Sequence, residues 1–105
     1  MSKVKMNVDA GACMFKTIIE GSCEDGMTVS LKFDGGCPAV KKLASNMKEA
    51  NVFEAIATPI TENVVFMKCA SILTHACCPI PIAIVKICEA CGELALKKPV
   101  SLSYE

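Results

Sequence analysis

The sequence predicts an α+β fold, in which a small antiparallel sheet of three N-terminal strands plus a C-terminal strand packs against three to four helices. Apolar residues alternate with period two near both ends of the chain, and helical periodicity fills the segment between them. With 105 residues, of which 52% are hydrophobic and 21% charged, the chain has the size and composition of one globular domain with its own core. We therefore treat residues 1–105 as a single cysteine-rich domain.

The strands are predicted from alternation between apolar and polar residues. The third strand shows it most clearly, and the segment Gly21–Gly26 before it has the glycines and acidic residues of a hairpin loop. The C-terminal residues Val100, Leu102 and Tyr104 repeat the pattern. The other residues predicted to face the core are Val4, Met6 and Val8, then Phe15, Thr17 and Ile19, then Met27, Val29, Leu31 and Phe33.

Helices are predicted from apolar residues three and four positions apart. The first carries Val40, Leu43, Ala44 and Met47 on one face. A short helix follows at about 52–57, and a third at about 62–73. The last helix opens at Pro79, buries a stripe that includes Cys88 and Cys91, and ends before Pro99, which prevents it from continuing.

Charge and targeting signals restrict the compartment and the partners. Lys plus Arg and Asp plus Glu number 11 each, so no basic surface is available for nucleic acid. No signal peptide is apparent, and the most apolar stretch, 69–96, is interrupted by prolines and charges, which argues against a membrane span. We therefore expect a cytoplasmic protein whose eight cysteines are thiols or metal ligands rather than disulfides.

Two cysteines each precede a proline that opens a predicted helix, Cys37 before Pro38 and Cys78 before Pro79. Proline favours the first helical position, which places each cysteine at an N-cap. The free amides and the dipole of a helix N-terminus stabilise an anion, so both thiols are predicted to have a lowered pKa and to be available to a metal as thiolates.

The hairpin geometry adds Cys13 to this pair. If the loop centres near Asp25, residues 14–21 pair with 27–34, and Cys13 lies beside Gly35, Gly36 and Cys37. Cys23 sits at the hairpin tip, roughly 26 Å away along the strand, and is predicted to be exposed and incidental. Cys69, Cys88 and Cys91 fall on apolar helical stripes and are predicted to be core residues.

The fourth ligand is less strongly indicated. His75, the sole histidine, lies three residues before Cys78 in a loop between two helices. A Cys₃His tetrahedron is a standard zinc set, so His75 is favoured, with Cys77 or Cys69 as the competing fourth ligand. The predicted metal ligands are Cys13, Cys37, His75 and Cys78.

Several short motifs resemble known cysteine proteins. Gly11-Ala12-Cys13, Gly35-Gly36-Cys37 and the segment from Thr74 to Pro79 resemble the U-type iron–sulfur scaffold proteins (IscU/NifU) and the small TSCPD-type proteins. Within the latter, the chain is most similar to an uncharacterised prokaryotic family with a His-Ala-x-Cys-Pro element. The resemblance covers most of the chain from Gly11 to Leu96, implies an IscU-like fold, and makes Cys13, Cys37 and Cys78 the family-type ligands.

The sequence differs from those families at positions that serve cluster assembly and transfer. The scaffold proteins have an aspartate soon after the first cysteine, whereas Met14-Phe15-Lys16 follows Cys13 here. Their Leu-Pro-Pro-Val-Lys chaperone-docking stretch is absent, and Ile80 replaces the aspartate of the TSCPD motif. These differences weaken the prediction of cluster assembly and transfer more than the prediction of binding.

Three functions follow from these patterns. The first is a metal-binding protein that holds Zn²⁺ or an iron–sulfur cluster, because thiolates select such soft metals without separating them. The second is an iron–sulfur cluster scaffold or a sulfur carrier, and the third is an interaction module whose cysteines are buried or incidental. No carboxylate pair or phosphate-binding loop indicates an enzyme. The sequence leaves open a homodimer or an unidentified protein partner.

Overall fold

The computed structural model describes residues 2–105 and shows the predicted α+β class. Within these residues a four-stranded antiparallel sheet, with strand order β1-β2-β3-β4, packs against four α-helices. The strands are β1 (Ser2–Asp9), β2 (Lys16–Cys23), β3 (Thr28–Gly35) and β4 (Glu49–Asn51), and the α-helices are α1 (Pro38–Asn46), α2 (Val52–Ala57), α3 (Val64–Ile72) and α4 (Ile80–Cys91). Short 3₁₀ turns occupy Gly11–Cys13 and Ile60–Glu62.

One face of the sheet forms the core, as the alternation in the sequence predicts, although Phe15 and Met27 lie outside the strands and are exposed. Val4 and Val8 of β1, Ile19 of β2, and Val29 and Leu31 of β3 are buried, while the polar residues that alternate with them, such as Lys5, Glu20 and Lys32, lie on the opposite face. Helix α4 packs across β1 and β2, and α1 packs against β3. The remaining helices complete the layer beside α4.

Gly21 allows α4 to approach the sheet closely. A Cβ at position 21 would overlap Ile87 Cγ2 and lie 3.2 Å from Cys91 Sγ. Ile87 and Cys91 are both buried against this part of β2. The absence of a side chain at residue 21 therefore sets the depth at which the C-terminal half of α4 packs.

The fourth strand is not the one that the sequence predicts. Val100, Leu102 and Tyr104 lie in an exposed C-terminal segment without strand structure, and the sheet is completed by β4 instead. β4 pairs with β3 through Thr28 opposite Asn51 and Ser30 opposite Glu49. Period-two alternation shows that a segment could pair, but it does not supply a partner strand, and three residues are too few to show alternation.

The loop of the β2–β3 hairpin is also shorter than predicted. Cys23 lies opposite Val29 and Thr17 lies opposite Gly35, so the turn between β2 and β3 contains only residues 24–27. Cys23 is therefore the last residue of β2, on the inner face, and its side chain is only 3% exposed. The prediction of an exposed thiol at Cys23 is wrong, because α4 covers this end of the sheet.

The helices match the prediction more closely. The short second helix has the predicted bounds, and Cys69, Cys88 and Cys91 are buried, as their apolar stripes indicate. Burial raises the pKa of the Cys69 and Cys88 thiols to about 12, which keeps them protonated at neutral pH. Among the described residues, no helix combines the length and hydrophobicity that crossing a bilayer requires.

Candidate metal centre

The four predicted ligands line one cavity at the end of the sheet where β2 begins. The cavity has a volume of about 240 Å³ and is bordered by Cys13, Cys37, His75 and Cys78, together with Cys77. Its other walls are mostly apolar, and they include Val8, Phe15, Val40 and Ile80. The structure thus brings together residues that are up to 65 positions apart in the sequence (78 − 13 = 65).

Cys37 reaches this cavity as the N-cap of α1. Pro38 is the first residue of the helix, and Cys37 has the extended backbone of an N-cap residue, with φ −75° and ψ 170°. Its carbonyl accepts the Lys41 N–H at 3.0 Å, which begins the helical hydrogen bonding. This part of the prediction is confirmed.

Gly36, directly before it, has φ +95° and lies against the inner face of the sheet. A Cβ at this position would come within 2.7 Å of Val40 Cγ1 and 2.8 Å of Thr17 Oγ1. Both neighbours line the cavity. Glycine is therefore required here for its backbone conformation and for close packing, and this packing positions the Cys37 backbone.

Cys13 reaches the cavity by a different route from the predicted one. It is not at the start of a strand but in the 3₁₀ turn Gly11–Cys13 that joins β1 to β2. The Gly11 N–H donates to Asp9 Oδ1 at 2.9 Å, and Met14, with φ 64°, ends the turn and donates its N–H to the Gly11 carbonyl at 2.8 Å. The position of Cys13 follows from this turn, because β2 begins only at Lys16.

The remaining donors lie on one turn between α3 and α4. The Cys78 N–H donates to the His75 carbonyl at 3.2 Å, which closes the turn and places these two residues side by side. Ala76 and Cys77 form its corner. His75 and Cys77 are exposed, whereas Cys78 is half-buried.

Cys78 is not the N-cap of α4, contrary to the prediction. The helix begins at Ile80, Pro79 is its N-cap, and the second proline, Pro81, occupies the first turn. The pKa of Cys78 is raised rather than lowered, chiefly because the thiol is partly buried. A hydrogen bond from the Ile80 backbone N–H opposes this effect, and the thiolate charges of Cys37, Cys13 and Cys77 reinforce it.

The charges of Cys37, Cys13 and Cys77 thus all act on Cys78, and the opposing contribution comes from a single backbone amide. A cation bound among them would reverse the effect and favour the thiolates. Nevertheless, no three His, Cys, Asp or Glu side chains in residues 2–105 are arranged to hold a metal ion without moving. Metal binding through these residues would therefore require their side chains to come closer together.

Cys69, one of the competing fourth ligands, lies on the other side of the 73–78 loop. It borders a second cavity of about 360 Å³, which it shares with His75 and Cys78 and not with Cys13 or Cys37. Cys69 is 1% exposed and follows the apolar stripe of α3. The structure thus separates Cys69 from the cavity that contains the other thiols, whereas Cys77 borders that cavity.

A second thiol group is formed by Cys23, Cys88 and Cys91 at the opposite end of the sheet. All three are buried, and burial is the main cause of the raised pKa of Cys88 and Cys91, with a smaller contribution from the neighbouring thiol charges. The sequence does not reveal this group, because the hairpin pattern predicts Cys23 outside the core. Its members are enclosed in the hydrophobic core, which makes them packing residues.

Fold and site together define a small α+β protein with a cysteine-lined cavity at one end of an antiparallel sheet. The chain belongs to DUF6951, a family of unknown function, whose model matches residues 4–104. No curated protein and no solved structure matches the chain.

Proposed function

We propose that the protein binds a thiophilic metal through Cys13, Cys37 and Cys78, with His75 as the fourth ligand. The observation that carries this proposal is the convergence of these residues on one cavity from three separate parts of the chain. Zn²⁺ is the favoured mononuclear occupant, because a Cys₃His tetrahedron is one of its common ligand sets.

The donor set supports this proposal in two ways. Cys37 and Cys78 are half-buried and held by backbone hydrogen bonds, Cys37 at the start of α1 and Cys78 in the turn before α4, which gives the site two anchored ligands. Cys13 and His75 are exposed on short turns, so they would bind the metal from the solvent side of the cavity. All eight cysteines of residues 2–105 are free thiols, in agreement with the reducing, cytoplasmic location that we also propose.

An iron–sulfur cluster is the second candidate occupant. A cavity of about 240 Å³ with mostly apolar walls and an additional thiol, Cys77, offers more space and more donors than one zinc ion needs. In that case the protein would be a cluster scaffold, or a sulfur carrier with Cys78 as the acceptor. The U-type scaffold resemblance supports this alternative, whereas the residues after Cys13 and Cys78 depart from that pattern.

The decisive experiment is metal analysis of protein purified anaerobically without chelators. One equivalent of zinc, or iron and sulfide with a brown colour, supports the corresponding occupant. As a second readout, titration of the metal-free protein with Co²⁺ should produce the visible absorption of a tetrahedral, thiolate-bound ion. Protein that contains no metal, takes up no Co²⁺ and keeps its stability in chelator would contradict the proposal. The third candidate, an interaction module that uses exposed apolar residues such as Phe53, Ile60 and Met67, would then be preferred.

A further inference from the structure

The cavity holds one donor more than a tetrahedral ion requires. Cys13, Cys37, His75, Cys77 and Cys78 all border it, and a mononuclear zinc site uses four ligands. The five donors fall into two groups by burial. Cys37 and Cys78 are half-buried, whereas Cys13, His75 and Cys77 are exposed. The additional donor therefore lies on the solvent side of the site.

The geometry of the 75–78 turn distinguishes Cys77 from its neighbours. The hydrogen bond between Cys78 N and His75 O, at 3.2 Å, brings residues 75 and 78 together, and both border the cavity. Cys77 lies at the exposed corner of this turn and is peptide-bonded to Cys78. A thiol at that corner borders the cavity, although the four proposed ligands are complete without it.

We propose that Cys77 is an exchange ligand, through which metal enters and leaves the Cys13–Cys37–Cys78 site. This inference rests on the proposed metal-binding function and extends it from storage to transfer. It assigns the protein the role of a metal donor or acceptor toward other thiol- or nitrogen-bearing ligands.

The exchange step involves no change in oxidation state. In this step the Cys77 thiol would give its proton to water and bind the metal as a thiolate, while the His75 imidazole would leave the metal. The released imidazole keeps its own electron pair and can take up a proton from solvent. Cys77, at the exposed corner of the turn, would then be the ligand that an incoming molecule can replace.

The mouth of the cavity supports access by another molecule. Met14 and Phe15, next to Cys13 in the sequence, are exposed large apolar residues, and Phe15 borders the cavity. Apolar side chains around a solvent-facing thiol provide contact area for an acceptor that approaches Cys77. The half-buried ligands Cys37 and Cys78 lie deeper, so an approaching acceptor would reach them last.

The test compares equilibrium binding with transfer kinetics. Zn²⁺-loaded wild type and Cys77→Ala are mixed with excess 4-(2-pyridylazo)resorcinol, which becomes coloured as it takes the metal, and Zn²⁺ affinity is measured separately by competition with a chelator. We expect Cys77→Ala to bind Zn²⁺ within about threefold of wild type but to transfer it about tenfold more slowly. The matched control is the double variant Cys77→Ala with Ala76→Cys. Ala76 does not border the cavity that contains Cys13 and Cys37, so this variant has the same number of thiols as wild type but no thiol at the position of Cys77.

The outcomes separate this inference from the function on which it rests. Slow transfer that the Ala76→Cys control does not restore supports the exchange role. Equal transfer rates for wild type and Cys77→Ala overturn it while leaving metal binding intact. A loss of affinity in Cys77→Ala but not in His75→Ala also overturns it, because Cys77 would then be a permanent ligand. A wild-type protein that binds no metal overturns both proposals.

Discussion

Gly36 lies so close to Thr17 that a Cβ at position 36 would come within 2.8 Å of the Thr17 hydroxyl oxygen. The contact joins the segment that precedes α1 to the second strand, directly beside the proposed metal centre. It matters for the site because Cys37, the next residue, is the N-cap of that helix. The close approach of glycine to the sheet thus fixes one of the two half-buried thiols.

Gly36→Ala is predicted to reduce both stability and metal affinity. The new Cβ would meet Thr17 and Val40 at a backbone φ of +95°, and we expect a loss of about 2 to 4 kcal/mol in the free energy of unfolding. Urea unfolding and Co²⁺ titration measure the two effects. Gly26→Ala is the control, because Gly26 has φ +76° with nothing within 4 Å, and it should cost only about 1 kcal/mol. Equal losses in the two variants would show that the Thr17 contact is unimportant.

Cys37→Ala and Cys78→Ala are each predicted to abolish metal retention, because each removes an anchored ligand. Cys23→Ala should retain the metal, since Cys23 lies at the far end of β2. It should nevertheless lower the free energy of unfolding by about 1 kcal/mol, because the thiol is buried. Metal content after gel filtration and urea unfolding check these results. Loss of metal from Cys23→Ala would show that the site extends into the core.

The metal-free protein should show three classes of thiol reactivity toward iodoacetamide. Exposed Cys13 and Cys77 should be alkylated first, and half-buried Cys37 and Cys78 more slowly. The four buried thiols should react only after unfolding, because burial limits access and raises the pKa of Cys69 and Cys88 to about 12. Peptide mass spectrometry over time measures the order. Early modification of Cys88 in native protein would show that α4 does not bury this thiol against the sheet.

Asn63 should contribute more to stability than Asn51, the other asparagine N-cap. Asn63 is 2% exposed; its Oδ1 accepts the Val65 N–H at 3.0 Å, and its Nδ2 donates to the Ala55 carbonyl at 2.7 Å, which joins α2 to α3. Asn63→Ala should cost about 2 to 3 kcal/mol, and Asn51→Ala, which removes one cap bond to Glu54, about 1 kcal/mol. Urea unfolding of both variants measures the two losses in stability. The reverse order would contradict the bridging role.

The hairpin turn should stabilise the fold in a pH-dependent way through Asp25. Backbone N–H groups of Thr28 and Met27 donate to Asp25 Oδ1, both at 2.9 Å, and hold the pKa of this carboxyl below its usual value of 3.8. Because the folded pKa is lowered, the contribution is present above the unfolded pKa and is lost as the pH falls through the folded pKa. Urea unfolding of wild type and Asp25→Asn should therefore differ at neutral pH and converge in acid. A difference that stays constant with pH would exclude the carboxylate charge as its source.

The sequence was informative wherever the structural signal is local. The helix at Val52–Ala57 and the cap at Cys37-Pro38 were predicted correctly, because periodicity and the proline rule depend on neighbouring residues. The burial of Cys69, Cys88 and Cys91 follows from the same periodicity. The gathering of Cys13, Cys37, His75 and Cys78 at one cavity agrees with the sequence prediction, although the register and the turn that place Cys13 differ from it.

Predictions that depended on a distant partner were less successful. Whether Cys23 is exposed depends on α4, which begins more than fifty residues later and covers its end of the sheet. Val100, Leu102 and Tyr104 alternate as a strand would, but they lack a pairing strand. The sequence by itself thus determined the fold class, the helices and the cap at Cys37-Pro38. Only the tertiary structure decided which strand completes the sheet, that Cys23 is buried and that Cys77 joins the four predicted donors at one cavity, because those outcomes depend on packing between elements far apart in the chain.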